Sequence, residues 1–295
     1  VKVLINRKPV EGPWGGGNLF VKSMCEIMPS LGHKIVHEIQ DNIDVFFIIN
    51  PRYDKTNISI NEAIQYKNNF PNTKIIQRIN DCDARKGTNQ VDNMLIECSK
   101  YLDSTIFVSE WMKQYYVEKG WRCENNFVVI NGVETGDEKS KKIKNGKINI
   151  VTHHWSDNYL KGFDIYDQLD NFVRDNEEYS FTYIGRERGT FKNTHIIKPL
   201  HGKKLYDQLK KYDVYVSASR FDPGPNHILE SLSCGLPTYV HADGGGCVEF
   251  AGKDNSFKNF DDLLQRILSK EFVKNKISLY NWHRCMIKLN EIIKR

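Results

Sequence analysis

No stretch of this 295-residue chain comes near the roughly 20 consecutive apolar residues that cross a bilayer, so no membrane-spanning helix is expected. Its seven cysteines (Cys25, Cys82, Cys98, Cys123, Cys234, Cys247 and Cys285) are scattered singly, with no Cys-x-x-Cys pair and an odd total. That spacing fits reduced, mostly buried thiols better than disulfides or a zinc site. Long runs of one charge are also missing. The net charge is +5, with Lys and Arg spread along the chain, which suits anionic small molecules or an acidic membrane surface and does not point to nucleic acid. There is no short-period repeat and no low-complexity tract. The opening Val1-Lys2-Val3-Leu4-Ile5 reads as a strand and lacks a signal-peptide pattern, so the expected location is cytoplasmic, with peripheral contact at the cytoplasmic membrane face left open.

What is present is a regular alternation. Hydrophobic residues make up 40% of the chain, enough for real cores, and the length suits two domains of the usual size. Strands are expected at 1–5, 44–49, 74–79, 105–108 and 127–130, with helical patterns at 18–28, 60–69, 89–101 and 110–119 between them. From Glu134 to Lys147 the sequence turns polar and basic, the composition of an exposed connector. The alternation then restarts, with strands at 148–152, 180–184, 195–197, 214–217 and 238–240 and helices at 162–173, 203–211, 226–234 and 260–269. The fold class is therefore α/β: two Rossmann-like, doubly wound domains facing across a cleft. The domains are expected at 1–135 and 148–271, joined by a linker at 136–147. The segment 272–295 is expected to form a C-terminal helix packing back toward the first domain, with Ile277, Tyr280, Ile287 and Ile292 buried.

In doubly wound sheets, ligands bind beyond the carboxyl ends of strands. The most informative segment there is Phe221-Asp222-Pro223-Gly224-Pro225-Asn226-His227-Ile228-Leu229-Glu230, followed by Ser231 and by Gly235-Leu236-Pro237 leading into a strand. Glu230 sits among Ile228, Leu229 and Leu232, so its carboxylate emerges at the edge of a buried face and needs a partner. Two carboxylate oxygens can accept from the two hydroxyls of a ribose, and the free N–H groups near Asn226 and His227 favour negative charge. An ordinary ion pair for Glu230 is the plain alternative.

This segment resembles the donor-binding signature of family 4 glycosyltransferases, retaining enzymes of the GT-B fold. The signature is an acid, seven residues, a Glu, a small residue and then Gly-x-Pro, and here those places are Asp222, Glu230, Ser231, Gly235 and Pro237. The first acid is usually Glu, so Asp222 departs from the commoner form. By resemblance, Glu230 holds the ribose of the donor, Asp222 approaches the transferred sugar, and Gly244-Gly245-Gly246 walls the site. Ser109-Glu110-Trp111 and Val129-Ile130-Asn131-Gly132-Val133 match further parts of the pattern in the right order. Lys161-Gly162 matches the lysine that meets the donor diphosphate, where a cation at a helix start stabilises leaving-group charge. The family often has Gly-Arg just upstream. This chain has His153-His154-Trp155-Ser156 instead, so His154, Ser156 or Arg186 are the candidates to replace that guanidinium.

The resemblance also implies donor contacts at Gly16, Gly17, Pro199, Leu200, Gly224, Pro225, Asn226 and His227. Gly15-Gly16-Gly17 permits close backbone approach, but Asn18-Leu19-Phe20 does not complete a dinucleotide fingerprint, which argues against a dehydrogenase. Arg78, Asp81 and Arg85 are candidates for sugar or acceptor contacts, because the family's His-containing loop is missing at that place. His153 and His154 are adjacent on an expected strand and point to opposite faces, so no metal and no cofactor are expected. The implied activity is metal-independent retaining transfer of a sugar from a nucleoside diphosphate donor to a glycan or lipid-linked acceptor. Two rivals stay open: a sugar-nucleotide epimerase, and a catalytically silent nucleotide- or glycan-binding homologue.

Overall fold

The computed structural model describes residues 1–12, 15–52, 57–134, 143, 145–269, 273 and 277–295. The chain divides into two compact units, one of residues 1–132 with 281–295 and the other of residues 133–280. The expected linker at 136–147 lies mostly outside the described residues.

The first unit runs β1 (Lys2–Ile5), α1 (Gly16–Ile27), β2 (Lys34–Val36), β3 (Val45–Ile48), α2 (Ile60–Asn69) and β4 (Lys74–Ile79). It continues with α3 (Asp83–Lys86), α4 (Val91–Ser99), β5 (Ser104–Phe107), α5 (Glu110–Glu118) and β6 (Asn126–Val128). Its six strands pair in parallel in the order β2-β1-β3-β4-β5-β6. Because helices cover such a sheet, its strands read as apolar runs: Val45, Phe46, Phe47 and Ile48 are all buried. Helix starts are written in the sequence. Ser59 accepts from the amide of Glu62 while Glu62 returns a bond to the Ser59 amide, and Ser109 caps α5 through the amide of Met112.

The second unit runs β7 (Ile148–His154), α6 (Phe163–Asp175), β8 (Tyr179–Gly185), β9 (His195–Ile197), α7 (Gly202–Leu209) and β10 (Val214–Ser217). Then come α8 (Asn226–Ser233), β11 (Thr238–His241), α9 (Gly246–Ala251), β12 (Ser256–Phe257) and α10 (Phe260–Ser269). The strand order is β12-β11-β10-β7-β8-β9, again all parallel. Its core joins Phe163, Tyr166 and Leu169 of α6 to Phe181 and Tyr183 of β8 and to Leu263 and Ile267 of α10.

The α/β, doubly wound reading holds, and the differences are local. The short strands β2 and β12 carry too few residues to show a period, and α3 lies inside what reads as a polar loop. The C-terminal helix does not begin near 272: α11 spans Trp282–Lys294, started by Asn281, whose side chain accepts from the Arg284 amide. Tyr280 lies outside the helix, its carbonyl accepting from the Val133 amide. The late start sets the phase of α11, so Met286, Leu289 and Ile293 are buried and Ile287 is exposed.

Two close backbone contacts in the second unit fix the turn before α6 and the end of β7. Gly162 has φ +97 and lies so close to Ala218 that a Cβ would collide with it. Gly185 has φ +145 and is pressed in the same way onto the His154 carbonyl. Both positions exclude a side chain on sterics and on backbone conformation. Gly162→Ala is therefore expected to lower the stability of the full chain by at least about 2 kcal/mol, read as a drop in the denaturant or thermal midpoint.

Candidate functional site

In the second unit the strand order reverses between β7 and β10, since the chain winds outward from β7 on one side and from β10 on the other. The ends of these two strands are where a doubly wound sheet leaves a crevice. His153 and His154 close β7, while Ser217 closes β10 and leads to Asp222 and α8.

Lys161 ends a short 3-10 turn, Tyr159–Lys161, whose start is capped by Asn158. Its Nζ lies 2.8 Å from Asp222 Oδ2, and the Ser219 hydroxyl donates to the same oxygen at 3.2 Å. Both members of this ion pair are largely buried, so loss of either leaves a costly charge. The backbone holds the two segments together: the Arg220 amide donates to the Leu160 carbonyl, and Arg220 makes a bidentate pair with Asp164 of α6. On the other side the Phe221, Asp222 and Gly246 amides donate to the carbonyls of Asp243, Gly244 and Asp222.

Glu230, on α8, meets His153: its Oε2 is 2.8 Å from His153 Nε2, and the other ring nitrogen is 3.1 Å from the Tyr215 hydroxyl. The partner that Glu230 requires is thus a histidine, not an arginine. Glu134 stands in the same electrostatic neighbourhood. Burial pushes its carboxyl above the usual range and the negative charge of Glu230 adds to the rise. The Glu134 amide donates to the Tyr206 hydroxyl, which burial likewise holds protonated.

Beneath these groups lies a buried polar layer. The Tyr166 hydroxyl is 2.7 Å from His154 Nε2 and accepts from the Ala218 amide, while Ser217 Oγ is 2.8 Å from His227 Nε2. His153 and His154 take different partners, as alternation along a strand requires, yet both rings stand beside His227, with centroids 6.1 and 4.8 Å away. Cys247 Sγ lies 3.9 Å from His227 Nε2.

The expected donor residues fall in several places. Lys161, Asp222, Gly224, Pro225, Asn226, His227 and Glu230 all lie on the turn before α6 or on the segment from β10 into α8. Pro225 is the N-cap of α8 and Asn226 its first residue. His154 is interior, bound to Tyr166. Arg186 follows β8 and is exposed, its guanidinium 4.0 Å over the Trp155 ring. Pro199 and Leu200 are half-buried between β9 and α7.

Within the first unit, Gly16 and Gly17 open α1, and a Cβ on Gly17 would come 3.2 Å from Asn80 Nδ2. Of the three groups considered for acceptor contacts, Asp81 pairs with Arg52 and Lys86, and Arg85 is half-buried on α3. Arg78 is interior, only 2% exposed, with its guanidinium 4.2 Å over Phe20 and 2.8 Å from the Asn131 oxygen. Burial lowers its pKa to about 10. An interior arginine packed on a phenylalanine does not reach a solvent-borne acceptor. His153, Tyr215, Ser219 and Cys247 join the site without having been anticipated. In the sequence, Tyr215 and Cys247 look like core residues; the pairing of β10 with β7 shows what Tyr215 faces, and the tie of α9 to the Asp222 turn shows what Cys247 faces.

No family model and no curated protein matches the sequence. Solved structures do match it in fold. HepE of Anabaena, in complex with UDP and glucose, superposes with a TM-score of 0.70 at 10% identity over 99% of each chain. Sucrose-phosphate synthase of Thermosynechococcus elongatus gives 0.69 at 11% identity, over 99% of this chain and 98% of that one. TarM of S. aureus gives 0.59 at 14% identity, over 85% of this chain and 52% of that one. Two parallel six-stranded sheets with interleaved helices therefore make the GT-B fold seen in glycosyltransferases. Among the described residues no helix is long and apolar enough to cross a membrane.

One feature of the site is strained. Phe221, next to Asp222, has φ +52, a left-handed backbone that a bulky side chain rarely adopts. The Phe221 amide, donating to the Asp243 carbonyl, and the Asp222 amide, donating to the Gly244 carbonyl, hold it there. Phe221→Gly should relieve that strain and stabilise the chain by up to about 1 kcal/mol, whereas Phe221→Ala should give no such gain. Chemical unfolding of the two variants side by side measures the difference.

Proposed function

We propose that this chain is a retaining glycosyltransferase that moves a sugar from a nucleoside diphosphate donor to a hydroxyl of a glycan or lipid-linked acceptor, with no metal in the chemical step. The observation that carries this reading is the grouping of Lys161, Asp222 and Glu230 around the strand-order reversal of the second unit. The GT-B likeness supports it, since HepE has been solved with UDP and with UDP-glucose.

In this reading Glu230 accepts from the ribose hydroxyls. His153, held in turn by Tyr215, orients the carboxylate by occupying one of its oxygens. Lys161 and the N-terminal end of α8 stabilise the charge that develops on the departing diphosphate. Arg186, fixed flat on Trp155, supplies the second cation that the sequence lacks upstream of Lys161. Asp222 meets hydroxyls of the transferred sugar, and Pro199 and Leu200 lie toward the base.

No side chain is assigned as a nucleophile. The departing phosphate takes the proton of the attacking hydroxyl on the same face, and the protein contributes orientation and charge stabilisation. The two acids do not act as a hydrolase pair, since one of them binds ribose.

A nucleotide that binds the native state raises its stability by about 2.7 kcal/mol at one hundred times its Kd. A thermal-shift panel of nucleoside diphosphates and nucleotide sugars, with and without EDTA, is expected to show a base-selective shift that EDTA leaves intact. Glu230→Ala should abolish it, and the product formed with an acceptor should keep the donor's anomeric configuration by NMR. A chain that responds to no nucleotide is not a transferase of this kind.

A further inference from the structure

Three metal-ligating side chains converge at the same end of β10, and the proposed function uses them only in part. Asp222 lies on the turn after β10, His227 in the first turn of α8 and Cys247 in the first turn of α9. Their ligand atoms all lie within 4.8 Å of one another. All three are interior, with 7%, 7% and 0% of their surface exposed.

The chemistry of the set is specific. A thiolate, an imidazole and a carboxylate form the mixed sulfur, nitrogen and oxygen set that suits zinc, whereas magnesium and calcium take oxygen alone. Two ligands bound tetrahedrally to zinc, with bonds of about 2.3 Å to sulfur and 2.0 Å to nitrogen, stand roughly 3.5 Å apart. The Cys247 sulfur and a His227 nitrogen are already 3.9 Å apart.

The framework that carries the ligands is also tied. Asp222 bridges to Gly245, and the Gly246 amide donates to the Asp222 carbonyl, so the start of α9 is fastened to the Asp222 turn. Gly246 makes this approach possible, because a Cβ there would come 2.9 Å from the Pro223 carbonyl. The Lys161 ammonium and the Ser219 hydroxyl are both held by Oδ2 of Asp222.

We infer that Asp222, His227 and Cys247 form a binding site for a single zinc ion, and that filling it inhibits the donor site beside it. Binding replaces the Cys247 thiol proton, which leaves to solvent, by the metal, so that thiolate and carboxylate together balance the ion's two charges. The ion then competes with a sugar hydroxyl for the Asp222 carboxylate. The inhibition rests on the glycosyltransferase reading, while the metal site does not.

The test uses the full chain, stripped with a chelator and titrated with zinc and, separately, with cobalt(II). Uptake of one ion per chain is expected, with a near-ultraviolet thiolate-to-cobalt band and the visible bands of tetrahedral cobalt. Cys247→Ser and His227→Gln should each weaken uptake by about tenfold or more, with circular dichroism confirming that they fold. Cys25→Ser should change nothing, although Cys25 lies 3.6 Å from His37 and forms the other thiol and imidazole pair near in space. No retained ion, or equal uptake by Cys247→Ser, overturns the site. One equivalent of zinc should weaken UDP-glucose binding at least about tenfold in the parent chain and leave Cys247→Ser unaffected. Zinc uptake without that effect overturns the inhibition. Zinc uptake by a chain that binds no nucleotide sugar in the absence of metal counts against the proposed function instead.

Discussion

The close approach of Gly162 to Ala218 is the constraint on which the site depends. A single missing side chain lets the 3-10 turn that carries Lys161 lie against the segment leaving β10, and the Leu160 carbonyl then reaches the Arg220 amide. Only with those segments in register does Lys161 come within 2.8 Å of Asp222. The pair is nearly dry, so its strength comes from geometry and from the extra bond of Ser219, not from attraction in water.

Around this point the second unit keeps an unusual amount of polar matter inside. Tyr166 joins α6 to His154 of β7 and to the backbone after β10, His227 joins α8 to Ser217, and His153 joins β7 to Glu230. Each bond crosses between elements, so the network also locks β7 and β10 in their relative positions. A wholly apolar layer would fill the volume without specifying those directions. The strained Phe221 belongs to the same arrangement, because a backbone held off its preferred angles by two backbone hydrogen bonds sets the entry to Asp222.

Much of the plan was legible along the chain. Parallel strands covered on both faces read as short apolar runs, and helix starts at Ser59 and Ser109 carry their own caps, so the alternation and most element positions follow from local chemistry. Asp222 was visible as an acid in a loop that follows a strand, Glu230 as a carboxylate among apolar helix residues, and Lys161 through the resemblance of Lys161-Gly162 to the family pattern. The start of α11 was missed because Asn281 is a single capping signal at the end of an amphipathic stretch that continues its pattern upstream. Arg78 misled in the opposite direction: a charged residue near the end of an apolar strand reads as a surface group, yet Phe20 and Asn131 lie against it.

By itself the sequence determined the α/β class, the division of the pattern into two similar halves and the segments where polar chemistry gathers, because periodicity, capping and turn residues act over a few positions. Tertiary structure decided which of those segments meet. His153 lies 77 positions before Glu230 and Lys161 lies 61 before Asp222, and no local rule relates them. They are neighbours because the strand order reverses between β7 and β10, bringing the ends of two distant strands side by side. The same reversal, with α9 tied back onto the Asp222 turn, makes one cluster of an aspartate, a histidine and a cysteine that the sequence scatters.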